Sequence, residues 1–155
     1  MKNQLAIDPG ANGGLAWIDR EGIVHAVPMP DTDGDLVDLL RSIVTDGCEC
    51  ATIELVGGFI GRPQPGAAMF QFGFGAGFIR GVLMTLCCPI VMVRPQKWQK
   101  QFSLGTKSTC SSATEWKNKL KSEAQRRFPR IQVTLKTADA LLLLEYAKIQ
   151  KRFQS

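Results

Sequence analysis

Histidine is nearly missing: His25 is the only one in 155 residues, and it lies in the alternating run Ile23-Val24-His25-Ala26-Val27. That pattern reads as a strand with a solvent-facing imidazole, so Ser-His-Asp and Cys-His nucleophilic chemistry lose their usual base. Cysteine is sparse and odd in number. Cys48, Cys50, Cys87, Cys88 and Cys110 have one imidazole between them and no secretory context, which reads as reduced structural thiols. No apolar run reaches about 18 residues, and the N-terminal apolar stretch is only Leu5-Ala6-Ile7, so neither a membrane span nor a signal peptide is expected. A soluble, cytoplasmic protein with no membrane partner is the expectation. A Walker-type glycine loop is lacking as well, which disfavours a nucleotide-binding ATPase. Repeats and low-complexity segments are also lacking.

What is present is ordinary in amount, with 45% hydrophobic and 21% charged residues, and the expectation is a single domain over 1–155. The charge is unevenly placed. Residues 1–60 hold three bases against ten acids, whereas the remainder holds sixteen bases against four acids. A basic half with so few acids points to a polyanion, most often nucleic acid, with a solvated helical surface as the plainer alternative.

The period of the apolar residues predicts strands at 2–8, 13–19 and 23–27, joined by tight turns into an antiparallel meander. A helix is predicted at 33–44, a short buried strand at 51–56, and an apolar helix at 66–86 that carries Gln71 and Arg80. Gly73, Gly77 and Gly81 share one face of that helix, which implies close backbone approach to the sheet or to a second subunit. A strand at 90–93 and helices at 95–102, 114–128 and 136–153 complete the chain, with a polar loop between the first two of these helices. The order is that of an α/β RNase H-like fold, a mixed five-stranded sheet with its first three strands antiparallel.

Three acids stand at element ends in this scheme. Asp8 ends the first strand before Pro9-Gly10, Glu54 lies near the end of the fourth within Ile53-Glu54-Leu55-Val56, and Asp139 opens the last helix. Each has a plain explanation, as an Asx-turn, an ion pair and a helix N-terminal charge respectively. Gathered in an apolar frame, they repel one another unless a cation intervenes, and oxygen-only ligands favour Mg2+ or Mn2+.

With those positions in place, the sequence resembles the RuvC-like Holliday junction resolvases, in particular the small phage-type members of the RNase H-like nuclease superfamily. The stretches that carry the resemblance are IDPGANGGLAWID (7–19), IELVGG (53–58), FGFGAGFIRGVL (72–83), VRPQKWQKQFSLG (93–105), KSEAQRRFP (121–129) and VTLKTADALLLLEYA (133–147). The resemblance implies a homodimer that binds four-way DNA junctions in recombination and repair. It implies cleavage by metal-assisted hydrolysis in a bacterial host if phage-encoded, with Asp8, Glu54 and Asp139 as the metal-binding, catalytic acids. It also implies a lysine near the scissile phosphate, for which Lys121 is the first candidate, with Lys107 and Lys136 beside it. Lys97, Lys100, Lys107, Lys117, Lys119, Lys121, Arg126 and Arg127 supply a positive surface for DNA backbone. Phe59, on a glycine-rich loop beyond Glu54, is a candidate wedge at the branch point, with packing against the next helix as its alternative. Trp98 reads as buried against the sheet, with a stacking platform for bases as its alternative.

One departure stands out. Members of that family carry a further Asp or His a few residues before the acid matching Asp139, where this chain has Thr134-Leu135-Lys136-Thr137. Neither Leu135 nor Lys136 can serve a cation. The alternatives are therefore a weakened or inactive junction-binding variant, or another RNase H-like nuclease acting on branched DNA or RNA/DNA hybrids.

Overall fold

Leu5 and Ile7 alternate with Ala6 and Asp8 along β1 (Gln4–Asp8), and this period of two decides which face of the sheet each side chain meets. The computed structural model describes residues 3–55 and 66–152. Phe59 lies outside the described residues. β2 (Gly14–Ile18) and β3 (Val24–Pro28) follow as the expected meander, and the sheet order is β3-β2-β1-β4-β5, where β4 is Cys50–Glu54 and β5 is Ile90–Val93. β1 pairs antiparallel with β2 and parallel with β4, in the register Ile7 to Ile53. β4 pairs parallel with β5.

Each parallel step is bridged by a helix. α1 (Asp33–Thr45) starts where the Thr32 side chain accepts a hydrogen bond from the Asp35 backbone at 3.1 Å, with Asp33 and Asp35 at its positive end. α2 (Gly66–Thr85) links β4 to β5, and the short α3 (Pro95–Lys100) begins on a proline, whose missing N–H costs nothing there. A single 3-10 turn, Lys107–Thr109, interrupts the expected polar loop. α4 (Ala113–Arg127) is capped by Ser112 and α5 (Ala138–Arg152) closes the described chain.

The sheet divides two cores. Leu5, Ile7, Leu15, Ala51 and Ile53 face α1 and α2, whereas Ala6, Ala16, Ile18 and Val93 face α3, α4 and α5. α5 lies across the centre of the second face, with Ala140, Leu141, Leu142, Leu143 and Leu144 all at 0% exposure. Truncating any of these leucines to alanine would cost about 2–5 kcal/mol. Pleating thus places Asp8 and Glu54, one step beyond the Ile7–Ile53 pair, on the face that α5 covers.

α2 is the outlier. It is long and apolar enough by composition to cross a membrane, yet only Ile79 and Leu83 are buried in this chain, while Phe70, Phe74 and Met84 are 68%, 58% and 65% exposed. A Cβ added at Gly73, Gly77 or Gly81 would meet nothing within 4 Å. Of the two approaches that glycine face implied, contact with the sheet is therefore absent.

Candidate active site

β1, β4 and α5 each deliver one acid to the same end of the sheet, close enough for their charges to interact. Asp8 ends β1, and the turn beyond it needs glycine: Gly10 sits at φ +112°, where side chains are strained, and a Cβ on Gly13 would come within 2.0 Å of the Asp8 carbonyl oxygen. Phe72 of α2 closes over Gly10, 3.2 Å from where a Cβ would be. Glu54 ends β4 and is 8% exposed, with its Oε2 accepting a 2.7 Å hydrogen bond from the buried Trp98 indole N–H. Asp139 is 5% exposed in the first turn of α5.

The turn before α5 explains how Asp139 is held. Thr134 and Thr137 cap each other reciprocally, the Thr134 backbone N–H donating to Thr137 Oγ1 at 3.0 Å and the Thr137 N–H to Thr134 Oγ1 at 3.3 Å. Between them Leu135 is 48% exposed and Lys136 projects outward. The place where a further ligand is expected is thus a tight, apolar and basic turn.

Electrostatics bind the acids into one unit. Asp8 is pushed up to about 8, chiefly by burial and then by the charges of Glu54 and Asp139, with Lys117 pulling the other way. Glu54 is pushed up to about 7 by burial, against the Trp98 hydrogen bond that favours its charged form. Asp139 Oδ2 accepts from the Lys117 ammonium at 2.6 Å. Burial disfavours that ammonium, but Asp139, Asp8 and Glu54 together outweigh the cost and hold its pKa above the ordinary lysine value. The Lys117 side chain is half exposed on α4, with its ammonium against Asp139.

Lys117 is thus the base that the structure brings to the acids, and it supplies the counter-charge they need. Lys121 stands one turn further along α4, partly exposed; Lys107 lies exposed in the 3-10 turn, and Lys136 in the turn before α5. The i, i+4 spacing of Lys117 and Lys121 makes them neighbours on one helix face, and sequence alone offers no means of choosing between them. Nor does sequence reveal that Trp98 is a donor to Glu54.

The oxygen donors suit a hard divalent cation. Among the described residues Asp139 Oδ1 is buried without a hydrogen-bond partner, and the Glu54 and Asp139 charges add to burial in raising Asp8. As placed, no three His, Cys, Asp or Glu side chains among the described residues form a closed metal-ligand group. The donor types are those that suit a hard divalent cation, whereas in the present arrangement Asp139 is held by Lys117.

The basic residues divide into two sets. Lys97 and Lys100 on α3 and Lys107 are exposed. Lys119 pairs with Glu115 at 3.5 Å. Arg126 and Arg127 both clamp the buried Glu123, at 2.7 and 2.6 Å, and Arg127 also lies 4.7 Å over the Phe102 ring. Their charge is largely spent within the chain, so of the basic residues expected to meet DNA, Lys97, Lys100, Lys107 and Lys121 are those without an acidic partner among the described residues.

No protein-family model and no curated protein sequence matches the chain. Solved structures do. A Thermus thermophilus RuvC in complex with a Holliday junction substrate superposes with a TM-score of 0.69 at 12% identity, covering 99% of this chain and 96% of the other. A second T. thermophilus RuvC structure gives 0.62 at 14% identity, covering 98% and 96%. The sheet order, the flanking helices and this end-to-end likeness identify the chain as having the RNase H-like fold in its RuvC form.

Proposed function

We propose that the chain is a structure-specific endonuclease that binds four-way DNA junctions and cuts them by divalent-metal-dependent phosphodiester hydrolysis. The observation that carries this reading is the grouping of Asp8, Glu54 and Asp139 around the Lys117 ammonium, at the strand ends of a RuvC-like sheet. Asp8, Glu54 and Asp139 would hold Mg2+ or Mn2+, which when bound supplies Lewis-acid polarisation and offsets the acids' charge. Trp98 fixes the Glu54 carboxylate through its 2.7 Å bond. Lys117 supplies a positive charge to a phosphate entering beside Asp139, where its low-dielectric surroundings strengthen the attraction. Lys97, Lys100, Lys107 and Lys121 extend the positive surface along the DNA backbone.

The partner that suits α2 is a second copy of the chain. Phe70 and Phe74 stack at 6.2 Å on a face otherwise turned to solvent, and the open glycine faces at Gly73, Gly77 and Gly81 allow two helices to approach closely. A homodimer would also match the two-fold symmetry of a junction.

Leu135 and Lys136 favour a second reading, a junction-binding protein with weak or no cleavage. Cleavage of a labelled synthetic four-way junction with Mg2+, Mn2+ or EDTA, beside a gel shift on the same DNA, decides between them. Paired, metal-dependent nicks in opposed strands are expected. Binding without nicks would overturn the catalytic reading, and preferential cutting of RNA/DNA hybrids would replace the substrate.

A further inference from the structure

A pair of thiols lies at the opposite end of the sheet from the acids. Cys48 closes the turn after α1, its backbone N–H bonded to the Ile43 carbonyl at 3.3 Å. Cys88 closes the turn after α2 in the same way, bonded to the Leu83 carbonyl at 3.0 Å. These turns feed β4 and β5, neighbouring parallel strands in which Ala51 pairs with Ile90, so the two segments enter the sheet side by side. Both cysteines are buried in the core beneath α1 and α2, at 8% and 5% exposure, with the Cys48 thiol donating to the Cys50 carbonyl at 3.4 Å and the Cys88 thiol to the Pro89 carbonyl at 3.7 Å. The preceding residue, Cys87, is exposed and held at φ +55°.

We propose that Cys48 and Cys88 are an oxidisable dithiol, a modification site that closes to an intramolecular disulfide under hydrogen peroxide. Their placement supports the chemistry, two buried thiols in one core at the entry of two paired strands. The neighbouring Cys48 lowers Cys88 to about 7, while Cys88 and burial hold Cys48 well above an ordinary thiol. Cys50 is close by, but burial and Cys88 raise its pKa and keep it protonated. In the first step the Cys88 thiolate attacks one peroxide oxygen, the O–O bond breaks, and a sulfenic acid and hydroxide result. The hydroxide takes the Cys48 proton, and the Cys48 sulfur attacks the sulfenic sulfur. The S–S bond forms as the S–O bond breaks, and the departing hydroxide takes up a proton from solvent. Two thiols lose two electrons and two protons overall, and one peroxide becomes two waters. The bridge would close a loop of roughly 40 residues that includes β4 and α2.

The test treats the purified full chain with a slight excess of hydrogen peroxide, blocks free thiols with iodoacetamide, digests with trypsin and maps linked peptides by mass spectrometry. The expected product joins peptide 42–80 to peptide 81–97, with fragment ions placing the link at Cys48 and Cys88. It disappears on reduction and is accompanied by a Tm increase of about 10 °C. Cys48→Ser and Cys88→Ser should each abolish the link, whereas Cys50→Ser and Cys87→Ser should retain it. Fragment-ion assignment on the unaltered chain keeps the test independent of whether the serine variants fold. A link at Cys50 or Cys87, or oxidation that yields only intermolecular disulfides or isolated sulfenic acids, would overturn the proposal.

Discussion

Asp8→Asn removes a charge from the place where the structure disfavours charge most, and its effect on stability can be worked out. The Asp8 carboxyl titrates at about 8 in the folded chain, because of burial first and then the Glu54 and Asp139 charges. Against an ordinary value near 4, that is roughly four pK units at about 1.4 kcal/mol each, or an upper bound of about 5–6 kcal/mol. The side chain is not fully buried, and water relieves part of the cost, so about 3 kcal/mol is the working magnitude. A raised carboxyl leaves full stability below its unfolded value and loses it as pH rises from about 4 to about 8. Thermal unfolding followed by circular dichroism between about pH 5 and pH 8.5 should show the unaltered chain losing stability that Asp8→Asn retains. The gap should widen by about 6–12 °C in Tm for a chain of this size. Millimolar Mg2+ at the alkaline end should restore part of the loss in the unaltered chain and little in the variant. Parallel Tm curves across that range would refute the reasoning, since they would mean that Asp8 ionises at no cost.

Lys117→Met deprives the buried Asp139 of its cation, and junction cleavage should fall by about 100-fold or more while gel-shift affinity falls far less. Equal loss of both would show that Lys117 serves binding alone. Trp98→Phe keeps the ring in the core but removes the donor to Glu54, and should cost about 1–2 kcal/mol in chemical denaturation, together with weaker apparent Mg2+ dependence of cleavage. An unchanged denaturation midpoint would argue against that bond. Replacing Phe70 and Phe74 with serine should shift the chain to monomer in light scattering without lowering its Tm appreciably, because both side chains are exposed within one copy. A dimer that persists would place the interface elsewhere.

The sheet was legible because its signals are local. Alternation in Leu5-Ala6-Ile7, the Asp8-Pro9-Gly10 turn and the Glu21-Gly22 turn fix the meander within a residue or two, and the observed helix ends at Thr45, Lys100 and Arg127 depart from expectation by no more than two residues. The acids were legible too, since strand ends and a helix start are readable from pattern. Lys117 was legible only as one of several basic residues on α4, because choosing it over Lys121 depends on the angle at which α4 crosses α5. The Trp98–Glu54 bond spans 44 residues of sequence, and no local pattern records it. Likewise, the consumption of Arg126 and Arg127 by Glu123 shows in the sequence only as charges three and four residues apart, a spacing that also suits a free solvated face.

Gly14 marks where distant parts of the chain are gauged against each other. A Cβ there would stand 2.6 Å from the Val27 carbonyl and 2.7 Å from that of Lys136, so β3 and the turn that launches α5 are both spaced by a missing methyl group. The run from Asp8 to Gly14 is therefore a ruler that sets the spacing of the sheet against the last helix. Its glycines should resist replacement whatever the chain does, and a library selected for folding alone should recover them.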